Sequence, residues 1–288
     1  MATLFTSPLR IPLNVEAAGD PCVSPERVPP VLEAGVGAWP APGSGREGRP
    51  VAAGRVARPI RRPGEGGRSG AALMTPMMED IFLAIYQRNL WGSQESRSGP
   101  GSTLSRAADF LPDLVALLGT LNTRVLVDAP CGDFNWAAPL ADAVERYIGV
   151  DVVGEIIRRN QRLASGPTRV FLHGDLTRDP IPSADVILCR DCLVHFSFAD
   201  IWRAFRNFQE SGGRYLLTTT FIERDDNPDI ATGGWRALNL ERPPFCLPPP
   251  VAVIDERCFH SGGTGRDKRL GLWELASLPT SPSLSRLS

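Results

Sequence analysis

No apolar run in the sequence approaches the roughly 18–20 residues that a helix needs to cross a bilayer, so a membrane-spanning role is not expected. The first residues lack a basic stretch followed by a clean apolar one. Pro8 and Pro12 break their weak apolar patch, and a secretory signal is not expected. Charge of either sign is scarcely in excess: the formal net charge is −1, which gives no reason to invoke nucleic acid or an acidic membrane as partner. Histidine is scarce, and His173, His195 and His260 are scattered. The cysteines (Cys22, Cys131, Cys189, Cys192, Cys246 and Cys258) contain one Cys-x-x-Cys pair, at Cys189 and Cys192, and no second pair to complete a zinc site. A disulfide framework belongs to short secreted chains, so these thiols read as buried or site-lining. No metal is expected, and a cytoplasmic location is the default.

What is present divides at about residue 73. Residues 1–72 hold 11 Pro and 11 Gly, with 9 Arg against 6 acids. Such a composition buries too little apolar surface to offset its ordering entropy, and residues 1–73 are expected to be a disordered leader. Residues 74–278 are expected to form the working domain, with 279–288 a flexible tail. Against the leader's excess of +3, the rest of the chain sums to −4 (−1 − 3).

From Met77 onward the pattern is regular. Helical spacing covers 77–88, a polar glycine-rich loop follows at 91–102, and a second helical pattern covers 104–118 with Pro112 a possible kink. Short, uniformly apolar runs then alternate with helical stretches. The runs are 124–127, 147–150, 169–172, 184–189 and 214–219, with helices expected over 135–144, 153–163 and 198–208. Two further strands are expected at 251–254 and 270–275. Apolar runs covered on both faces and linked by helices make a parallel sheet, and right-handed crossovers make it doubly wound. The fold class is therefore α/β and Rossmann-like.

Ligands bind outside the carboxyl ends of such strands. There the sequence places Asp128, Asp151, Asp175 and the pair Arg190-Asp191. Three acids in succession on one rim look like a site. A dinucleotide loop would need three glycines after the first strand, yet Asp128-Ala129-Pro130-Cys131-Gly132-Asp133 offers one glycine and an acid that would repel a diphosphate. A cationic ligand suits it better. Asp151 is placed to accept ribose hydroxyls, as in both nicotinamide and S-adenosylmethionine sites.

The segments VLVDAPCGDFNW, YIGVDVV, HGDLTRDPIPSADVILCRDCLVHFSF, RYLLTTTF, TGGWRALNLERPPF and GLWEL, with WGSQESRSGPGS upstream, together resemble a bacterial family of class I S-adenosylmethionine-dependent methyltransferases over roughly residues 78–276. The resemblance implies a mostly parallel seven-stranded sheet and S-adenosylmethionine as cofactor. It implies that Asp128 and Gly132 shape the methionine pocket, that Asp151 takes the ribose, and that Asp175 and Leu176 flank the adenine. Pro130 and Asp133 depart from the usual class I glycine pattern, and both are expected with Val152 in the cofactor set. Trp91, Trp136, Cys189 and Arg190 complete the expected cofactor set. Ser96, Gly99, Gly101 and Ser102 are expected to close over the methionine carboxylate, because the strand-one loop holds no basic group.

For the chemistry, His195 is the general-base candidate, or else a packing residue. Asp191 orients the acceptor or the methionine amine, or else caps a helix. Trp235, Arg236 and Asn239 follow the fifth strand, where they are expected to contact the acceptor. That acceptor is expected to be a small molecule or a glycan-like hydroxyl, with no nucleic acid involved. The alternatives are a non-catalytic S-adenosylmethionine-binding module and, more distantly, a nicotinamide oxidoreductase.

Overall fold

The computed structural model describes residues 77–258 and 265–279. The expected leader, His260 and the tail beyond Pro279 lie outside the described residues. Helix α1 (Met78–Arg88) carries Glu79 and Asp80 in its first turn and Arg88 in its last, as the helix dipole favours, and stops at left-handed Asn89. The single helix expected over 104–118 is two: α2 (Leu104–Ala107) and α3 (Leu111–Thr120). Pro112 is the reason. Its missing N–H and its ring are tolerated only in a first turn, and it opens α3.

The remaining elements are β1 (Val125–Asp128), α4 (Ala138–Asp142), β2 (Arg146–Asp151), α5 (Gly154–Ala164), β3 (Arg169–His173), β4 (Val186–Cys189), α6 (Phe198–Glu210), β5 (Tyr215–Phe221), β6 (Ala252–Asp255) and β7 (Lys268–Glu274). Helix α4 is shorter than expected, because the chain still turns at left-handed Phe134 and Pro139 lies in the helix's first turn. The seven strands form one sheet in the order β3-β2-β1-β4-β5-β7-β6. Six run in one direction, and β7 enters antiparallel between β5 and β6. No helix among the described residues is long and apolar enough to cross a membrane.

Two cores cover the two faces. Val127, Ile148, Ile187 and Leu216 pack with α6 residues Ile201, Phe205 and Phe208 on one side. Their strand neighbours Leu126, Tyr147, Leu188 and Leu217 pack with α3 residues Leu114, Leu117 and Leu118 on the other. Alternate residues are thus buried on opposite faces, which is why the strands read as continuous apolar runs. β1 pairs with both β2 and β4, so strand order reverses beside it and its carboxyl end opens onto the crevice.

Gly271 is fixed by packing. A Cβ there would lie 2.3 Å from the Trp273 ring, which is buried and donates its indole N–H to the Pro248 carbonyl at 2.7 Å. Gly271→Ala is expected to destabilise the fold by about 1–3 kcal/mol, the usual cost of overpacking. Denaturant unfolding checks this, and an unchanged midpoint would contradict it.

Candidate active site

The strand ends and the segment from α1 to Ser102 line an open cleft. Asp151 closes β2 and is 5% exposed. One oxygen accepts the Gly132 amide at 3.0 Å and the other the Val153 amide at 2.8 Å. It thereby joins the loop after β1 to the start of α5. Burial pushes its carboxyl up to about 6, against the pull of those two amides. Asp128 closes β1 beside it, 3% exposed, and accepts the Tyr147 hydroxyl at 2.6 Å. Burial drives it up to about 7, with the Tyr147 bond and the Arg190 charge opposing. Gly132 adopts φ 53°, a left-handed geometry that suits glycine. A Cβ there would meet the Ser98 hydroxyl at 2.4 Å.

Asp133 faces the polar loop upstream. Its carboxylate accepts the Ser96 hydroxyl at 2.9 Å and the Arg97 amide at 3.0 Å, while its own amide donates to the Ser98 hydroxyl at 2.8 Å. These bonds latch residues 96–98 over the loop after β1. They leave Asp133 and Ser96 behind the cleft wall, and Ser98 and Ser102 on it.

At the end of β4 four charges are packed together. Arg190 donates from Nη2 and Nε to one Glu256 oxygen, at 2.6 and 3.2 Å, and from Nη1 to the Gly101 carbonyl at 3.0 Å. Its guanidinium lies over Phe110 and Trp136, 4.5 and 5.3 Å from the ring centres. Lys268 donates to Asp191 at 2.7 Å and lies 3.0 Å from the same Glu256 oxygen. Burial opposes the ionisation of Asp191, but Lys268 and Arg190 outweigh it and hold the carboxyl well below the usual range. Asp191 is therefore a fixed anion with little basicity.

His195 ends a 3₁₀ turn, Leu193–His195, on the cleft wall. Its Nδ1 lies 2.7 Å from the Gly234 carbonyl. A carbonyl only accepts, so Nδ1 carries the proton and Nε2 of the neutral ring keeps its lone pair. The segment 232–236 sets this up: Gly233 donates its amide to the His195 carbonyl at 2.8 Å, and Arg236 its amide to that of Val194 at 3.0 Å. The Arg236 side chain donates to the Leu193 and Val194 carbonyls, each at 3.1 Å. Burial pulls the imidazole below its ordinary value, with the Gly234 bond and Asp191 partly offsetting.

Residues 126–211 match the model of a family described as a methyltransferase domain. Over this stretch the chain is similar to a methyltransferase domain. It is 29% identical over 130 residues to uncharacterized methyltransferases of Mycobacterium tuberculosis (strain ATCC 25618 / H37Rv) and Mycobacterium bovis (strain ATCC BAA-935 / AF2122/97), covering 44% of this chain and 62% of each relative. The matched stretch thus falls short of two thirds of those relatives' length. Among solved structures, the magnesium protoporphyrin IX methyltransferase of Synechocystis PCC 6803 with bound S-adenosylmethionine is 18% identical at a TM-score of 0.39, covering 57% of this chain and 82% of that one. Human N-acetylserotonin methyltransferase in complex with S-adenosylmethionine is 16% identical at a TM-score of 0.38, covering 51% and 42%.

The cleft gathers most of the residues expected from the sequence: Trp91, Ser102, Asp128, Pro130, Gly132, Trp136, Asp151, Val152, Leu176 and Arg190, with Asp191 and His195. Gly101 abuts it through Arg190 and Asp191, whereas Gly99 packs on Trp91. Others lie elsewhere. Asp175 accepts the Thr177 amide and hydroxyl in a tight turn, and Cys189 is fully buried. Asn239 is buried and knits the following loop through the Arg224 carbonyl and the Asn227 side chain. Trp235 is 52% exposed against Phe221. Arg236 reaches the site only through the backbone beside His195.

Sequence reading missed Tyr147, Glu256 and Lys268, and the cleft-lining Phe82, Ser98 and Phe196. One signal was available: Lys268 is the only lysine in a chain of 31 basic residues.

The raised carboxyls make stability depend on pH. Below about pH 4 Asp128 is protonated folded and unfolded. As pH rises toward 7 the unfolded chain ionises first, so folding loses stability. Asp128→Asn, which removes this cost, is expected to melt higher than the parent at pH 8, with the gap closing by pH 4–5. Melting curves across that range check it, and a pH-independent gap would contradict the account.

Proposed function

We propose that the protein transfers a methyl group from S-adenosylmethionine to a hydroxyl of a small molecule, with His195 as the general base. The observation that carries this reading is the pairing of a buried acidic rim with a neutral histidine on one cleft. Asp151 has lone pairs left after its two amide bonds, which suits ribose hydroxyls. Buried, high-lying Asp128 suits a ligand bearing positive charge, and with Asp151 it would repel a diphosphate. Gly132 and Ser98 bring backbone and hydroxyl close to the rim, and Leu176 and Val152 offer apolar walls for a base. The cofactor, when bound, supplies an activated methyl group on sulfur.

Arg190, which the acids of the loop after β1 cannot replace, is the cation nearest the expected methionine carboxylate. Asp191, held ionised by Lys268 and Arg190, organises the field at the acceptor end. It does not take the proton. His195 does: its tautomer is fixed by the Gly234 carbonyl, and its lowered basicity keeps it unprotonated at neutral pH. The domain's formal charge of −4 from residue 73 onward offers no basic surface for nucleic acid.

Asp151→Ala is expected to weaken S-adenosylmethionine by about 1–3 kcal/mol, the scale of losing hydrogen bonds to a charged group. Calorimetry checks it, and unchanged affinity would displace the ribose site. Once labelled-methyl screening has supplied an acceptor, His195→Gln is expected to lower turnover by about 100-fold or more with cofactor affinity kept. The parent's acid limb should lie below about pH 6.5, the ordinary histidine value, because burial lowers this imidazole. Loss of activity in Asp191→Asn with full activity in His195→Gln would assign the proton to the carboxylate instead.

A further inference from the structure

The acceptor's chemistry is legible at the β4 end of the cleft. With Asp128, Gly132, Asp151 and Leu176 assigned to the cofactor, the lining that remains includes Phe82, Phe196 and His195, beside Asp191, together with Trp91, which the sequence places in the cofactor set. These rings form a connected set. The Phe82 centroid lies 6.0 Å from Phe196 and 6.4 Å from Trp91, and Trp91 lies 5.1 Å from the His195 ring at 37°. Phe82 and Trp91 are only partly buried, so flat apolar surface faces the cleft.

The charged groups at this end are already paired. One Asp191 oxygen is shared by Lys268 and Arg190, and Arg190 is divided between Glu256 and the Gly101 carbonyl. His195 has committed Nδ1 to Gly234. Its Nε2 is the atom left to meet a ligand hydroxyl. A sugar would bring several hydroxyls to a wall of rings and leave them unpaired. An ammonium would find Asp191 already balanced by two cations.

We propose that the acceptor is a hydroxylated aromatic molecule of the phenol class, its ring against Trp91, Phe82 and Phe196 and its hydroxyl on Nε2 of His195. This deepens, and rests on, the methyltransferase reading above. In the transfer the phenol O–H proton passes to Nε2 and the oxygen's electron pair forms the O–CH₃ bond. The methyl–sulfur bond breaks, its pair stays on sulfur, and the sulfonium charge is lost. The products are an aryl methyl ether, S-adenosylhomocysteine and, once His195 releases it, a proton. Of the small-molecule and glycan-like acceptors expected from sequence, the narrowing keeps the first.

The test uses the full chain and two successive calorimetric titrations, so it does not depend on turnover. S-adenosylhomocysteine is titrated first. The loaded protein is then titrated with 2-naphthol, methyl β-D-glucopyranoside and tetramethylammonium. Binding of 2-naphthol, with the glucoside and the ammonium at least tenfold weaker, is expected. Phe196→Leu and, separately, Phe82→Leu should each weaken 2-naphthol tenfold or more while shifting S-adenosylhomocysteine less than threefold. Melting temperatures show which variant is folded, and either one suffices. A protein that does not bind S-adenosylhomocysteine overturns the underlying reading, and the proposal with it. A loaded protein that ignores 2-naphthol, prefers either other probe, or keeps its 2-naphthol affinity in a folded variant overturns the acceptor class alone.

Discussion

The site depends on a carboxylate that parallel strands force into a dry crevice and backbone amides then hold. Asp151 ends β2 where strand order reverses, and its two oxygens take the amides of Gly132 and Val153. That single side chain fixes the loop after β1 relative to α5. From α5, Asn160 closes the same loop by donating to the Gly132 carbonyl at 2.7 Å. Once Gly132 is set, Asp133 points at residues 96–98 and latches them down. The raised proton affinity of Asp128 and Asp151 measures what this arrangement costs without a cationic ligand. Desolvated acids of this kind suit binding better than stability.

The second organising device is the charge cluster at β4. Two cations and two anions are packed together, with Arg190, Glu256 and Lys268 buried and Asp191 half-buried, so the cluster is neutral in sum while each pair is close. Leaving one partner unpaired in such a setting costs about 3–5 kcal/mol. The choice of lysine at 268 is chemical. A compact ammonium reaches Asp191 and Glu256 at once, where a planar guanidinium would need a wider space. The cluster anchors the Arg190-Asp191 turn, in which Asp191 adopts φ 53° and donates its amide to the Thr219 hydroxyl. It leaves His195 as the neutral titratable group at that end of the cleft.

The sheet was legible because its signal is local. Continuous apolar runs at 124–127 and 184–189 needed only a few neighbours to read, and so did the acids closing them. The helix over 104–118 was misjudged because periodicity does not register how firmly Pro112 breaks it. Lys268, Glu256 and Tyr147 were invisible to spacing, since Lys268 meets Asp191, Glu256 meets Arg190 and Tyr147 meets Asp128 only once the strands are paired. The lone lysine was the one composition signal that pointed there. Gly234 could not be read either, since its role lies in a backbone carbonyl. Trp235, Arg236 and Asn239 were placed after the right strand, but position along a loop does not say which side chains turn inward.

The account's central claim is that the buried acidic rim is built for a cationic nucleoside. Proton exchange on binding measures this directly. S-adenosylmethionine is titrated at pH 6.5 in buffers of different ionisation enthalpy, with NAD as control. Binding of S-adenosylmethionine with net proton release is expected, as the ligand's positive charge ionises Asp128 and Asp151, and NAD should not bind. Binding of NAD, or binding of S-adenosylmethionine with no proton released, would contradict it.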